Sequence, residues 1–289
     1  MEQLTRARIA GDSVGGKRWK ARWKAAARRA PRQSTYHGAF TRRAWAGHSP
    51  AHAPSLSVPS GMIDHLICDC DGVLVDSEVI ADRVMFETLS ATFPGLDFEP
   101  IVKTAFGQQT SRFLEGIEKT FDIALPPDFL NTIEHNVELA LAASLSPING
   151  VRTALQRVTL PAAVVSNSRM ARVTASVQRA GLQQIFGERI FSAEQVARPK
   201  PFPDVYLFAA QTLGVEPSRC IVVEDSVAGL NAARAAGMKT IAFVGASHIP
   251  DGYADALRNM GMTRIMKHMD ELPALLEAGV RGEFGDVQS

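Results

Sequence analysis

Short runs of aliphatic residues recur along the chain, and each closes on a polar or glycine residue. Leu66-Ile67-Cys68 runs into Asp69, Ala163-Val164-Val165 into Ser166, Ile221-Val222-Val223 into Glu224, and Thr240 to Val244 ends at Gly245. Unbroken apolar runs of this length predict strands of a parallel sheet covered on both faces. Between and after them the apolar positions change to helical spacing, over Val151 to Arg157, Met170 to Ala180, Asp204 to Leu213 and Val227 to Ala236. Gly181, Gly214 and Gly237 follow three of these segments, where a helix C-terminus favours glycine. Strand alternating with helix predicts an α/β fold, a doubly wound Rossmann-like parallel sheet. Such sheets bind ligands beyond the carboxyl ends of their strands, and that is where the polar residues stand.

One stretch breaks the alternation. Residues 77–146 offer helical patterns at Val79 to Ala91, Thr110 to Thr120 and Asp128 to Ala143, with no strand pattern among them. Their position between the first strand and the next α/β unit predicts an inserted all-helical cap. Its flanks, Val75-Asp76-Ser77 and Pro147-Ile148-Asn149-Gly150, read as hinges, the second with turn chemistry. The expected organisation is therefore a catalytic core of 62–76 and 147–289, a cap of 77–146, and a separate segment 1–61. Phe129, Ile133 and Val137 repeat at helical spacing and are expected in the cap's own core. A cap beside the ligand edge of a sheet suits closure over a small substrate.

The charge distribution supports that division. The first 61 residues hold twelve Lys and Arg against Glu2 and Asp12, whereas the remaining 228 hold nineteen basic residues against twenty-eight acidic ones. The leader also carries Trp19, Trp23 and Trp45, and its tail is rich in Ala, Ser, Pro and His. We expect a disordered extension outside the folded unit, with an Arg-rich organellar targeting segment or a nucleic-acid arm as the other readings. The chain shows no apolar run near the ~18 residues of a membrane helix, and no apolar segment of a secretory signal. Three cysteines in 289 residues form no disulfide framework. A cytoplasmic monomer is the expectation.

Four clusters carry candidate chemistry. Asp69-Cys70-Asp71-Gly72-Val73 follows the first predicted strand, and period-two geometry sends both aspartates to one side. Two carboxylates so close repel unless a cation neutralises them. The pair is therefore a Mg²⁺ site, an acid–base pair, or a plain Asp-x-Asp-Gly turn. Glu224-Asp225-Ser226 ends another strand and runs into a small-residue helix. Asp225 could serve as an N-cap, but two acidic pairs at neighbouring strand ends favour a hard divalent cation with oxygen ligands. Ser166-Asn167-Ser168 offers donors at a helix start, an anion site or ordinary capping. Lys200 is stiffened by Pro199, Pro201 and Pro203, unlike a freely solvated lysine. Cys68, Cys70 and Cys220 read as small buried hydrophobes, and His65, His135, His248 and His268 match no ligand pattern.

In order and spacing the four clusters resemble the haloacid dehalogenase-like hydrolases, in the helical-cap branch that contains β-phosphoglucomutase and the phosphoglycolate and sugar-phosphate phosphatases. The resemblance spans Met62 to about Ala278 and leaves out the leader. It implies Asp69 as nucleophile, forming an aspartyl-phosphate, and Asp71 as acid and then base. It implies Mg²⁺ held by Asp69, the Asp71 carbonyl oxygen and Asp225, with Glu224 as a direct or water-mediated ligand. Ser166 and Lys200 would hold phosphoryl oxygens, with Asn167 and Ser168 beside them. The cap loop Phe106 to Thr110, with Gln108 and Gln109, would face the aspartates and select the substrate. Asp71 argues for phosphoryl chemistry, since dehalogenating members lack it. Ala81, where the mutases carry histidine, and Gly107-Gln108-Gln109-Thr110 in place of a Val-Ser-Arg-like loop favour a phosphatase over a phosphosugar mutase. The expected activity is Mg²⁺-dependent hydrolysis of a small phosphorylated metabolite. The mutase is the alternative, and nucleic-acid binding through the leader is the remote one.

Overall fold

A computed structural model describes residues 62–102 and 110–284. The expectations for the leader, and for Gln108 and Gln109, lie outside the described residues. Six strands form one all-parallel sheet, with β1 (His65–Cys68), β2 (Ala162–Ser166), β3 (Ile190–Ser192), β4 (Cys220–Glu224), β5 (Lys239–Phe243) and β6 (Ile265–Met266) in the order β3-β2-β1-β4-β5-β6. The chain builds outward from β1 through β2 to β3, then returns to place β4 on the other side of β1. The order therefore reverses between β1 and β4, which opens a crevice at their carboxyl ends. Register there is tight, with Ile67 opposite Val222 and Cys68 opposite Val223.

Alternate strand residues feed two separate cores, as both-face burial requires. Leu66, Cys68, Val164, Ile221 and Val223 point to one side. They meet α5 (Val151–Gln156), α6 (Met170–Arg179), α7 (Gln183–Phe186) and α11 (Leu272–Val280) through Ala154, Val173, Phe186 and Leu276. Ile67, Ala163, Val165 and Val222 point to the other, toward α8 (Asp204–Leu213) and α9 (Val227–Ala235), and bury Tyr206, Ala209 and Ala232. Gly181, Gly214 and Gly237 do take the left-handed conformation after α6, α8 and α9. The sequence pattern did not separate out β3 and β6, which are edge strands of three and two residues. Both are too short for a periodic signal. It also left α10 (Tyr253–Asn259) and α11 unassigned.

Between β1 and α5 the described residues form four helices: α1 (Glu78–Thr92), α2 (Glu99–Val102), α3 (Thr110–Phe121) and α4 (Phe129–Ser144). They close on a core of their own. Ile80, Val84 and Leu89 of α1 pack with Phe113 and Ile117 of α3 and with Phe129, Ile133, Val137 and Leu141 of α4. The i, i+4 ladder of α4 is the stripe read from the sequence. The chain enters and leaves this insert side by side: Val75 bridges both Asp71 and Pro147, Asp76 N–H donates to Ser146 O at 2.9 Å, and Ile148 N–H donates to Leu74 O at 3.0 Å.

Candidate active site

The carboxyl ends of β1 and β4 present Asp69, Glu224 and Asp225, all buried. One carboxylate oxygen from each lies within 4.8 Å of the others. Asp69 sits one residue past β1, its N–H donating to Val223 O at 2.9 Å, so the two strands deliver their acids to the same point. Two glycines make the approach possible. A Cβ at Gly72, where φ is +76°, would stand 1.8 Å from Asp225 Oδ2. A Cβ at Gly229 would stand 1.6 Å from Glu224 Oε1. Neither position admits a side chain without moving an acid.

Lys200, 4% exposed, reaches into this cluster. Its ammonium donates to Asp69 Oδ1 at 2.5 Å, to Glu224 Oε1 at 2.8 Å and to the Val165 carbonyl at 3.0 Å. It also lies 4.9 Å from the centre of the Tyr206 ring. Burial alone would strip its proton, but Asp69 and Glu224 hold the charge and raise its pKa well above the usual lysine range. Burial pushes Asp69 well up despite Lys200, helped by the charges of Glu224, Asp225 and Asp71. Asp225 is pushed up in the same way, by burial and then by Glu224 and Glu78. One ammonium faces three carboxylates, so the donor set fits a hard divalent cation with oxygen ligands.

Asp71 answers to different partners. β1 ends at Cys68, so the strand period does not carry through to Asp71. Its carboxylate accepts from Ser77 Oγ at 2.6 Å and from Ser168 Oγ at 2.7 Å, with Ser166 Oγ at 3.4 Å and Arg172 Nη2 at 3.4 Å. Burial would raise its pKa, but Arg172 and the Ser77 and Ser168 hydroxyls outweigh that and hold it below the usual carboxylate range. Asp71 is not one of the clustered carboxylates; the ligand expected from it is its backbone carbonyl.

The Ser166–Ser168 segment lies at the same edge, but its amide side chain does structural work. Asn167 Oδ1 accepts from Lys200 N–H at 2.9 Å and its Nδ2 donates to the Lys200 carbonyl at 3.2 Å. Asn167 thus grips the backbone that carries the lysine. Ser226 Oγ caps α9 by accepting from Gly229 N–H at 3.1 Å, while it donates to Glu224 Oε2 at 3.1 Å.

Two further residues at this edge were not read as site residues from the sequence. Arg172 lies one turn into α6, between Asp71 and Glu138 of α4, whose Oε1 is 3.9 Å from its Nε. His248 follows β5, and its Nε2 stands 3.1 Å from Asp225 Oδ2. The rule that strand-end loops share one edge could have found the histidine. Cys68, Cys70 and Cys220 are buried free thiols, as expected of small apolar residues.

A family model described as haloacid dehalogenase-like hydrolase matches residues 63–237, which holds every residue of this site except His248. The chain belongs to the haloacid dehalogenase-like hydrolases. Among relatives of this hydrolase, 6-phosphogluconate phosphatase of Escherichia coli is 31% identical over 193 residues, covering 64% of this chain and 85% of that protein. Protein SUPPRESSOR OF QUENCHING 1, chloroplastic, of Arabidopsis thaliana is 33% identical over 207 residues, 66% of this chain but only 19% of that protein's length. A family hydrolase from Deinococcus radiodurans, solved with bound phosphate and sodium, superposes with a TM-score of 0.65 at 37% identity, covering 76% of this chain and 98% of the other. No helix among the described residues is long and apolar enough to cross a membrane.

Proposed function

We propose that this hydrolase cleaves phosphoric monoesters of a small phosphorylated metabolite, of the sugar-phosphate, sugar-acid-phosphate or phosphoglycolate type, through an aspartyl-phosphate on Asp69. The observation that carries the reading is the meeting of Asp69, Glu224, Asp225 and the Lys200 ammonium at one strand edge. The relative named 6-phosphogluconate phosphatase supports the substrate class. Mg²⁺ held by Asp69, Glu224, Asp225 and the Asp71 carbonyl would neutralise charge on the phosphoryl oxygens.

Asp69 attacks phosphorus through a carboxylate oxygen, forming the Asp69 O–P bond as the ester P–O bond breaks. Asp71, whose carboxyl the negative phosphoryl group of a bound substrate would raise from its low value beside Arg172 so that it enters the step protonated, delivers that proton to the departing alkoxide, then takes one from the water that cleaves the aspartyl-phosphate, so phosphate leaves and Asp69 is restored. Lys200 lies on Asp69 Oδ1 and is placed to offset the charge of the transferring group. Ser166 and Ser168 line the same approach, while Asn167 fixes the lysine's backbone. Ala81, in the first turns of α1, carries no group for the proton transfers of a mutase.

The test is trapped phospho-enzyme, by intact mass, after mixing with p-nitrophenyl phosphate and Mg²⁺. Asp69→Asn takes up no phosphate. Asp71→Asn keeps part of the first step, because p-nitrophenolate needs little protonation, and it accumulates the adduct because the second step lacks its base. Phosphate on the Asp69→Asn protein, or turnover undiminished in EDTA, overturns the reading.

A further inference from the structure

His248 has no place in the chemistry above, yet it is among the better-buried side chains of the site. It is 3% exposed, its Nε2 lies 3.1 Å from Asp225 Oδ2, and that carboxylate is 7% exposed. His248 is not one of the residues whose ligand atoms cluster within 4.8 Å, so it touches Asp225 without joining that cluster. Gly72 leaves room for this contact: its missing Cβ would fall 1.8 Å from that oxygen and 2.9 Å from His248 Cε1.

The loop that carries His248 is anchored on both sides. Its neighbour Ser247 donates through N–H to Asp76 Oδ1 at 3.2 Å and through its hydroxyl to the other Asp76 oxygen. Five residues on, Tyr253 Oη donates to the Asp225 carbonyl at 2.9 Å. Asp225 is therefore held at its backbone by Tyr253 and at its side chain by His248, both from the segment after β5. Outer partners of this kind fix the rotamer of a metal-binding carboxylate, and their loss typically weakens metal affinity about 10–100-fold.

We propose that His248 is a positioning residue for the metal site: its Nε2–H donates to Asp225 Oδ2 and leaves the second oxygen, Oδ1, aimed at a divalent cation. The inference rests on the reading of Asp225 as a metal ligand. The segment 245–253 becomes part of the metal site, and the stretch 63–237 that matches the family does not contain it.

The experiment is calorimetric titration of the metal-free full chain with Mg²⁺ alone, no substrate present, on the wild type, His248→Ala, His248→Gln, Ser247→Ala and Asp225→Asn. His248→Ala weakens Mg²⁺ binding about 10–100-fold. His248→Gln, which keeps an N–H near the Nε2 position, recovers most of the loss. Ser247→Ala loosens the loop without touching Asp225 and weakens binding in the same direction by less. Wild-type Mg²⁺ affinity in His248→Ala overturns the proposal, as does a His248→Gln protein no better than His248→Ala. Asp225→Asn separates the two readings: if it binds Mg²⁺ like the wild type, Asp225 is no ligand and both fall. If it loses binding while His248→Ala does not, only the role of His248 falls.

Discussion

Glu224 and Asp225 can meet Asp69 because the residues backing them have no side chain. Gly229 is the sharper case. It lies inside α9 in ordinary helical conformation, so alanine would be favoured there by propensity and is forbidden by contact alone. Gly229→Ala is expected to keep the fold and displace Glu224, lowering kcat/KM at fixed Mg²⁺ about 10–100-fold, the range for loss of an outer support of a metal site. Steady-state kinetics across a Mg²⁺ series check this, and wild-type activity would remove the steric argument. At this scale the sequence was legible where chemistry is dense. Asp69, Asp71, Glu224, Asp225 and Lys200 could be found because acids follow apolar runs and prolines bracket the lysine. Asn167 could be found but not understood, since its partner is the backbone thirty-three residues further on. Arg172 was silent and His248 had only its place after a strand end; both take their meaning from what the sheet edge brings beside them.

Helix α6 shows how one element joins two bodies of the fold. Arg169, just before it, pairs with Glu134 of α4 at 2.7 Å, and Arg172 faces Glu138 one turn further along the same helix. The two pairs look alike in sequence and differ in surroundings. Arg169 is 71% exposed and its partner 43%, so solvent screens that pair to about 1 kcal/mol or less. Arg172 is 21% exposed and also touches Asp71. Hydrogen bonds to charged groups removed from water are worth about 1.5–3 kcal/mol. Arg169→Met is therefore expected to leave kcat within about twofold, while Arg172→Met lowers it about tenfold or more, at roughly 1.4 kcal/mol per decade. Stopped assays with p-nitrophenyl phosphate measure both, and equal effects would show that the Asp71 contact is idle. Elements were legible where an apolar run or helical spacing stood beside a polar strand end or a closing glycine, so the six-residue α5 was read and the nine-residue α11 was not. The five-residue strands β2 and β4 announced themselves by unbroken apolar runs and the long helices by period, whereas β3 and β6 exist because a neighbouring strand offers them a ladder.

Residues 62–284 complete a sheet with both faces covered and an insert with its own core. The match to the family begins at residue 63. A chain beginning at Met62 is accordingly expected to melt at the same temperature as the full chain and to keep its turnover, by calorimetry and phosphate release. Aggregation or loss of most activity would make the leader part of the folded unit. Fold class could be read from the sequence because alternation of strand and helix is repeated and redundant. The cap loop with Gln108 and Gln109 could only be placed by resemblance, since nothing in its composition dictates a partner. The paired crossings at Val75 and Pro147 have an architectural consequence. A segment whose two ends are joined to each other by hydrogen bonds imposes no span on the sheet it interrupts. Residues 77–146 are in that sense a cassette: another helical bundle with ends a bond apart could be spliced between Asp76 and Pro147, and β1 and β4 would keep their register. Asp69, Glu224, Asp225 and Lys200 would then remain in place while the insert was exchanged, and Asp71 would need only a hydroxyl to replace that of Ser77, so the chemistry could be inherited apart from whatever the insert contributes.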